Sequence, residues 1–271
     1  MLPLEIIDHI FSFLQSDSFA LEKCSKAHPI LSELVPKHLY ANIAIRVPGR
    51  FSNLLASDDL NANYVRNLQI ELVWSIHESS SRRLLDQEKI ALMLPKFRML
   101  RGIALHVGDV DDPPTEWPLL HEKFREAFTQ CLRLPSMIGV SILGTSEFPL
   151  TTFRNCTSIK RLALGGEFDF DDPSSDSSLS LVTYPQIVSL ALYGCQGSSS
   201  AIVSWAKICS PHSLRLTLPS DFELLQSLVP IYSNTLVSLE LDLGGACMSI
   251  TLHDDFFNKL FICFPLRPIK K

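Results

Sequence analysis

The first forty residues of the chain place apolar side chains at helical spacing. Ile7, Ile10, Phe11 and Leu14 fall at positions i, i+3, i+4 and i+7, which puts them on one stripe of a helix. Proline is favoured in the first turn of a helix, because the N–H that it lacks would have no partner inside the helix there. We therefore predict an amphipathic helix that begins near Pro3.

Cap and turn signals predict two further short helices. The second should begin with Asp17 or Ser18 as its N-cap and end before the His28-Pro29 pair, since the residue before a proline disfavours the α region. The third should run from residue 30 to about residue 40 and contains Pro36. A proline inside a helix removes one hydrogen bond and clashes with the preceding turn, so we expect Pro36 to kink or split this helix.

From Val65 onward, a pattern of apolar-x-x-apolar-x-apolar recurs and predicts a series of buried strands. It appears at Val65-Leu68-Ile70, Leu100-Ile103-Leu105, Met137-Val140-Ile142, Ile159-Leu162-Leu164, Ile187-Leu190-Leu192 and Leu236-Leu239-Leu241, with Leu214-Leu216 as a copy that has Pro211 at its first place. One such triple can arise by chance, so the evidence for a repeat is the spacing between the triples. The last four steps, from 142 to 164, 192, 216 and 241, lie close to the period of roughly 20 to 29 residues that is typical of leucine-rich repeats.

Helical signals lie between the predicted strands. They cover residues 82–94, 119–132, 199–208 and 221–228. Strands that alternate with helices at this period predict an α/β fold in which a parallel sheet forms an irregular leucine-rich-repeat solenoid. A mixed α/β sheet packed by helices is the structural alternative.

Residues between and beside the ladder leucines should face the concave surface of such a solenoid. Most are expected to be ordinary solvent-facing strand residues. The candidate substrate face consists of His106, Arg161, Tyr193, Arg215, Glu240 and Asp242. The other outward positions are Gln69, Glu71, Ser141, Ala163, Ser189 and Thr217. In the turn-rich stretch 111–118, Trp117 is predicted to pin its loop to the solenoid, with a recognition hot spot as the alternative.

Composition and charge exclude several classes of protein. Apolar residues make up 46% of the 271 residues and charged residues 20%, so the chain is not disordered as a whole. The net charge of −5 argues against nucleic-acid binding. The seven cysteines form no CxxC pair, which predicts buried thiols in a reducing compartment, the cytoplasm or the nucleus. The uncharged stretch between Asp176 and Lys207 contains Pro185, Gly194 and Gly197, so we expect no membrane span there.

The sequence lacks the motifs of catalysis and metal binding. It has no GxSxG, no Walker loop and no GxGxxG after a strand. The stretch 121–125 begins like the helix of a zinc protease but has Arg125 where the second histidine belongs, and the acidic run 169–176 lacks the glycine and terminal glutamate of an EF-hand. We therefore expect a protein that is not an enzyme and uses no metal or cofactor. An enzyme with an unrecognised site is the alternative hypothesis.

One stretch carries a family resemblance. Leu2-Pro3-Leu4-Glu5-Ile6-Ile7-Asp8-His9-Ile10-Phe11-Ser12-Phe13-Leu14, followed by a helix with Leu21-x-x-Cys24-Ser25, resembles the F-box over about residues 1–42. The resemblance implies a helical trio that docks on the Skp-type adaptor of a cullin-RING ubiquitin ligase. The contacting residues that it implies are Leu2, Pro3, Leu4, Ile7, Ile10, Leu14, Leu21 and Cys24.

The chain resembles F-box proteins of the fungal, basidiomycete-like type, many of which have a His-Pro pair where a tryptophan is often found in other F-boxes. Here that stretch is Cys24-Ser25-Lys26-Ala27-His28-Pro29. The resemblance implies two domains, an F-box at 1–42 and a degenerate leucine-rich-repeat solenoid at 43–271. It implies a substrate adaptor of a Skp/cullin/F-box (SCF-type) ligase in ubiquitin-dependent degradation, with an unknown protein as substrate. A non-catalytic repeat scaffold that no longer engages a ligase, or a plain three-helix cap on the next domain, is the alternative.

Overall fold

Seven α-helices and ten β-strands make up the part of the chain that the computed structural model describes. The described residues are 2–15, 17–47, 62–74, 79–108, 114–169, 183–195, 199–207, 209–217, 222–242 and 247–251. The acidic run beyond residue 169 and the first part of the stretch 111–118 lie outside these residues.

Three helices open the fold, and we call them the helical trio: α1 (Leu4–Phe13), α2 (Ser18–Ala27) and α3 (Pro29–Leu39). Two of the predicted cap signals are confirmed. Pro3 is the N-cap of α1, and the Asp17 side chain caps α2 by accepting a hydrogen bond of 2.9 Å from the backbone N–H of Ala20.

Of the two predicted effects of Pro36, a split of the third helix is wrong, because α3 continues through Pro36 to Leu39. A proline removes only one backbone donor from a helix. Val35 and His38, on either side of Pro36, are buried, and their packing holds the last turn of α3 in place.

The helical trio has a small apolar core of its own. Phe11, Leu21 and Val35 are buried at its centre. The partly buried residues that pack against them are Ile7, Leu14, Cys24, Leu31, Leu34 and Leu39. A core of three fully buried side chains is thin for a unit of about forty residues, so much of the apolar surface of the trio stays exposed.

A single ten-stranded sheet follows, in which the strands lie side by side almost in the order of the chain. The strands are β1 (Asn42–Val47), β2 (Asn67–Leu72), β3 (Gly102–Val107), β4 (Thr115–Glu116), β5 (Gly139–Pro149), β6 (Arg161–Asp169), β7 (Ser189–Tyr193), β8 (Ser213–Thr217), β9 (Ser238–Asp242) and β10 (Cys247–Thr251). Strands β1 to β9 pair in parallel, with the short β4 beside the end of β5, and β10 pairs antiparallel with β9. The predicted α/β class with amino-terminal helices and a parallel sheet is confirmed.

Every strand predicted from the apolar triples is present, and the register aligns the triples across the sheet. One row of paired residues runs from Leu68 through Ile103, Val140 and Leu162 to Leu239, and all of its members are buried. A second buried row lies two residues further along each strand. Burial of each of these side chains contributes roughly 1.5 to 3 kcal/mol, so together the rows form the main core of the fold.

Strand β1 was not predicted, because it lies before Val65, where the recurring apolar triples begin. The strand follows α3 after only two residues. Its side chains Ile45 and Val47 are buried beside the matching residues of β2. The backbone N–H groups of Arg66 and Asn67 both donate to the carbonyl oxygen of Ala41, which fixes the junction between the trio and the sheet.

The remaining helices connect successive strands and bury their apolar faces against one side of the sheet. They are α4 (Ser80–Met93), α5 (Glu122–Leu132), α6 (Ser199–Ala206) and α7 (Phe222–Tyr232). Three short 3-10 turns lie at Leu94–Lys96, Trp117–Leu119 and Leu150–Phe153. The Gln87 side chain of α4 accepts a hydrogen bond of 2.6 Å from the backbone N–H of His121, which caps α5.

Aromatic side chains fill the space between the middle strands and the helices. Trp117 is buried, with its ring centroid 4.7 Å from that of Phe148 and 5.9 Å from that of Phe128. Phe148 also contacts Phe153 and Phe168. Trp117 therefore pins its loop to the core, as predicted, and is not exposed as a recognition hot spot.

Candidate functional site

The outer side of α1 carries large apolar side chains that the rest of the described chain leaves exposed to solvent. Ile6, Ile10 and Phe13 lie at i, i+4 and i+7, so they share one side of the helix, and Phe13 is 73% exposed. We call these three residues the outer stripe. Leu2 and Leu4 at the start of α1 and Phe19 on α2 are also exposed. A cluster of exposed apolar side chains on a small helical unit is typical of a protein-binding surface.

The structure divides the residues that the F-box resemblance implies as adaptor contacts into three groups. Leu2, Pro3, Leu4 and Ile10 are exposed. Ile7, Leu14 and Cys24 are partly buried and pack against the core of the trio. Leu21 is fully buried, at 0% exposure, and holds the trio together from inside.

Ile6, Phe13 and Phe19 were not among the predicted contacts, although they are among the exposed apolar residues of the trio. The predicted stripe, which runs through Ile7 and Phe11, faces inward. A second stripe at i, i+4 and i+7 was present in the sequence, and comparing the two would have indicated that α1 is apolar on two sides.

A continuous chain of polar contacts runs from the trio to the sheet. His38 is buried and its Nε2 lies 2.6 Å from Oδ1 of Asp8, while its Nδ1 lies 3.3 Å from Nε2 of Gln15. The Asn42 amide donates to Oε1 of Gln15 at 3.4 Å, and the Asn67 amide donates to Oδ1 of Asn42 at 2.7 Å. These contacts fix the trio against β1 and β2.

The same network sets the charge of Asp8. Lys37 Nζ lies 2.6 Å from Oδ1 of Asp8, and this hydrogen bond, followed by the one with His38, holds the pKa of the Asp8 carboxyl below its usual value. The carboxylate therefore stays ionised in the folded trio to lower pH than in the unfolded chain.

The sheet has a second face, opposite the helices, that is open to solvent. A cavity of about 600 Å³ runs across it from β1 to β7, and we call it the groove. Two rows of outward residues form its surface, and most of those in the middle are small. The first row is Asn42, Asn67, Gly102, Gly139, Arg161 and Ser189, and the second is Ala44, Gln69, Ala104, Ser141, Ala163 and Ala191.

Arg161 is the one charged residue among the described residues that line the groove. Its guanidinium group lies over Gly139, where an added Cβ would be 3.7 Å from Nε and 3.8 Å from Nη2. Glycine at position 139 thus leaves room for the arginine to lie along the sheet. Within the described chain the Arg161 side chain has no hydrogen-bond or ion-pair partner.

Four of the predicted substrate-face residues meet at the other end of the sheet and form the charged cluster: Tyr193, Arg215, Glu240 and Asp242. Arg215 lies 3.4 Å from Asp242 and 3.9 Å from Glu240, and its guanidinium carbon is 5.8 Å from the centroid of the Tyr193 ring. Its charge is thus largely matched from within the chain.

The last predicted residue, His106, belongs to neither group. It lies on the row beyond the groove, between Glu71 on β2 and Leu143 on β5. The remaining predicted outward residues also stay off the core, since none of Gln69, Ser141, Ala163, Ser189 and Thr217 is buried.

The described residues hold no cluster suited to metal binding, and three of their buried thiols are poor nucleophiles. Within them, no group of three or more histidine, cysteine or acidic side chains is placed to hold a metal ion. Burial raises the pKa of Cys131 and Cys209 to about 12 and that of Cys156 to about 11, so these thiols stay protonated at neutral pH. None of the helices in the described ranges is both long and apolar enough to cross a membrane.

Comparisons of the chain with protein-family models, with curated proteins and with solved structures found no significant match.

Proposed function

We propose that this chain is a substrate-recruiting adaptor of an SCF-type ubiquitin ligase. The helical trio binds a Skp-type adaptor, and the outward face of the sheet binds a protein target. The chain itself does no covalent chemistry. The observation that carries the proposal is the outer stripe of α1, which is exposed in the stretch where the sequence resembles an F-box.

The order of the sheet supports the second half of the proposal. Strands joined in sequence order, with two continuous rows of buried apolar residues, are what a stack of strand-and-helix repeats requires. We therefore interpret the sheet region as a degenerate leucine-rich-repeat solenoid. Its outward rows differ from strand to strand, which suits the recognition of one particular partner.

The polar contacts from Asp8 to Asn67 hold the outer stripe of α1 in a fixed orientation relative to the outward face of the sheet. A ligase adaptor has to hold its target at a set distance and angle from the ligase core. Asn42 and Asn67 take part in these polar contacts and also line the groove. The junction that orients the trio is therefore continuous with the proposed target surface.

The second candidate function is a repeat scaffold that does not engage a ligase. It is favoured by the His28-Pro29 stretch, which stands where many F-boxes have a tryptophan. On this alternative the outer stripe binds a different helical partner.

Binding to a Skp-type adaptor tests the proposal. We expect the wild-type chain, co-expressed with a Skp-type adaptor, to be retained on it in a pulldown. The double variant Ile10→Asp/Phe13→Asp should lose retention, because two charges would be buried on docking. Ile7 is unsuitable for this test, since it packs against the core of the trio and its replacement would unfold α1.

Leu92→Asp is the matched control, because Leu92 is a similarly exposed apolar residue on α4, far from the trio in sequence. It should be retained like the wild type. Failure of a folded wild-type chain to bind would overturn the ligase proposal and leave the scaffold function.

A further inference from the structure

The groove combines a cation with a surface of unusually small side chains. Gly102, Gly139, Ala104, Ala163 and Ala191 lie on adjacent strands, so the middle of the sheet is left uncovered. On an ordinary outward sheet face, longer polar side chains would fill this space. The small residues leave enough depth for the backbone of another chain to approach the sheet.

The size of the groove fits an extended segment. It crosses six strands, β1, β2, β3, β5, β6 and β7, and five spacings of about 4.8 Å give a length of about 24 Å. An extended chain advances by about 3.3 Å per residue, so about seven residues span this length. The polar side chains of Gln69, Ser141 and Ser189 along the groove offer hydrogen-bonding groups to such a backbone.

The positive charge in the groove favours an acidic ligand. Arg46 is 3.4 Å from Glu71, and Arg215 is held by Glu240 and Asp242, so these cations on the same face already have acidic partners. Arg161 has none within the described chain, and no described acidic residue lines the groove. A guanidinium group binds a carboxylate through two parallel hydrogen bonds, which makes an acidic side chain its best-matched partner.

We propose that the groove binds an extended acidic segment of a target protein, with an aspartate or glutamate carboxylate paired to Arg161. This inference rests on the proposed function for the statement that the occupant belongs to a ligase target. The binding itself does not require the Skp-type adaptor, so the two proposals can fail separately.

The test is selection of peptides from a displayed library of random heptapeptides, carried out on the purified full chain without any adaptor. The selected pool should be enriched in aspartate or glutamate at one position. The most enriched peptide, labelled with fluorescein, should bind in an anisotropy titration, and its version with asparagine or glutamine in place of the acid should bind at least about tenfold more weakly, since a hydrogen bond to a charged group is lost.

Three variants of the chain locate the binding. Arg161→Glu should weaken binding of the same peptide by at least about tenfold, and Ala163→Trp should abolish it by filling the groove. Arg161→Lys should retain part of the affinity, because it keeps the charge but not the paired geometry. Arg98→Glu, at an exposed site outside the groove, is the matched control and should leave the affinity unchanged.

Several outcomes would overturn the inference. A library that yields no binder, a selected pool without acidic enrichment, or a peptide unaffected by Ala163→Trp would each do so, provided that circular dichroism shows the variants to be folded. A peptide that binds only with phosphoserine in place of the acid would also contradict it, because the occupant would then be a phosphopeptide. If the wild-type chain binds the peptide but is not captured by a Skp-type adaptor, only the ligase proposal is overturned.

Discussion

The helical trio and the sheet region bury their apolar side chains in different ways. The trio encloses three buried residues and leaves an apolar stripe exposed on α1, whereas the sheet region packs two continuous apolar rows against its helices. A unit with a thin core and an uncovered apolar side gains stability when a partner covers that side. The sheet region needs no such partner for its core, and its open face is lined mainly by small and polar residues. The contrast indicates that the two regions present different kinds of surface, an apolar stripe on the trio and a face of small and polar residues on the sheet.

The largest effect is expected when a buried side chain of the sheet core is removed. Phe148→Ala removes a fully buried ring that contacts Trp117, Phe153 and Phe168. We expect the free energy of unfolding of the sheet region to fall by about 3 to 5 kcal/mol, as measured by urea denaturation. Phe13→Ala, which removes an exposed ring, is the control and should change it little. A loss below about 1 kcal/mol for Phe148→Ala would mean that this aromatic cluster is not part of a tight core.

Damage to the trio should stay local. Leu21→Ala removes the fully buried side chain at the centre of the trio, and we expect a loss of about 2 to 5 kcal/mol in the local stability of residues 4–39. Hydrogen exchange measured by mass spectrometry should show faster exchange there and unchanged exchange in β5 to β8. Equal loss of protection in both regions would show that they unfold as one unit.

Acid should weaken the helical trio. The hydrogen bonds from Lys37 and His38 lower the pKa of Asp8 in the folded state, so their stabilising effect is fully present above the usual aspartate pKa of 3.8 and is lost as the pH falls through the lower folded value. The effect should stay below about 1 kcal/mol, because the carboxylate is 38% exposed.

Asp8→Asn tests this pH dependence. The variant should be less stable than the wild type at pH 6, and the difference should shrink towards pH 2, as measured by thermal melting of the trio. A difference that is the same at both pH values would contradict the assigned role of the Asp8 carboxylate.

The smallest effect is expected at the ion pair between α4 and α5. Lys123 Nζ lies 2.6 Å from Oε1 of Glu88, and the pair lowers the pKa of Glu88 and raises that of Lys123, but both groups are on the surface. Lys123→Ala should leave the melting temperature unchanged within error. A clear drop would mean that contacts between these helices contribute more to the sheet region than the aromatic core suggests.

The sequence predicts the strands well and the surfaces only in part. Ladder residues such as Leu162 and Leu190 identify buried strands because their spacing is local, and the cap signals of α1 and α2 are local too. The end of α3 at Leu39 agrees with the predicted end near residue 40, but the short strand β1 that follows lies before the recurring triples and was not predicted. The predicted split at Pro36 did not occur, because buried residues on either side of Pro36 pack the helix against its neighbours.

The groove depends on the register between strands, which no local pattern in the sequence encodes. Arg161 was predicted to face outward, but its position over Gly139 follows from the pairing of β5 with β6. Likewise, Arg215 reaches Glu240 and Asp242 only because β8 and β9 pair in the observed register. The sequence therefore identifies the outward residues of the strands. It does not show which of their charged side chains are already paired within the chain.

We propose that the outer stripe of α1 is the docking surface for a Skp-type adaptor. The most direct test is hydrogen exchange of the full chain, measured alone and with a saturating Skp-type adaptor. The account predicts slower exchange in α1 and α2 on addition of the adaptor and no change in β5 to β8. Unchanged exchange in α1 would contradict it, and so would protection confined to the outward face of the sheet.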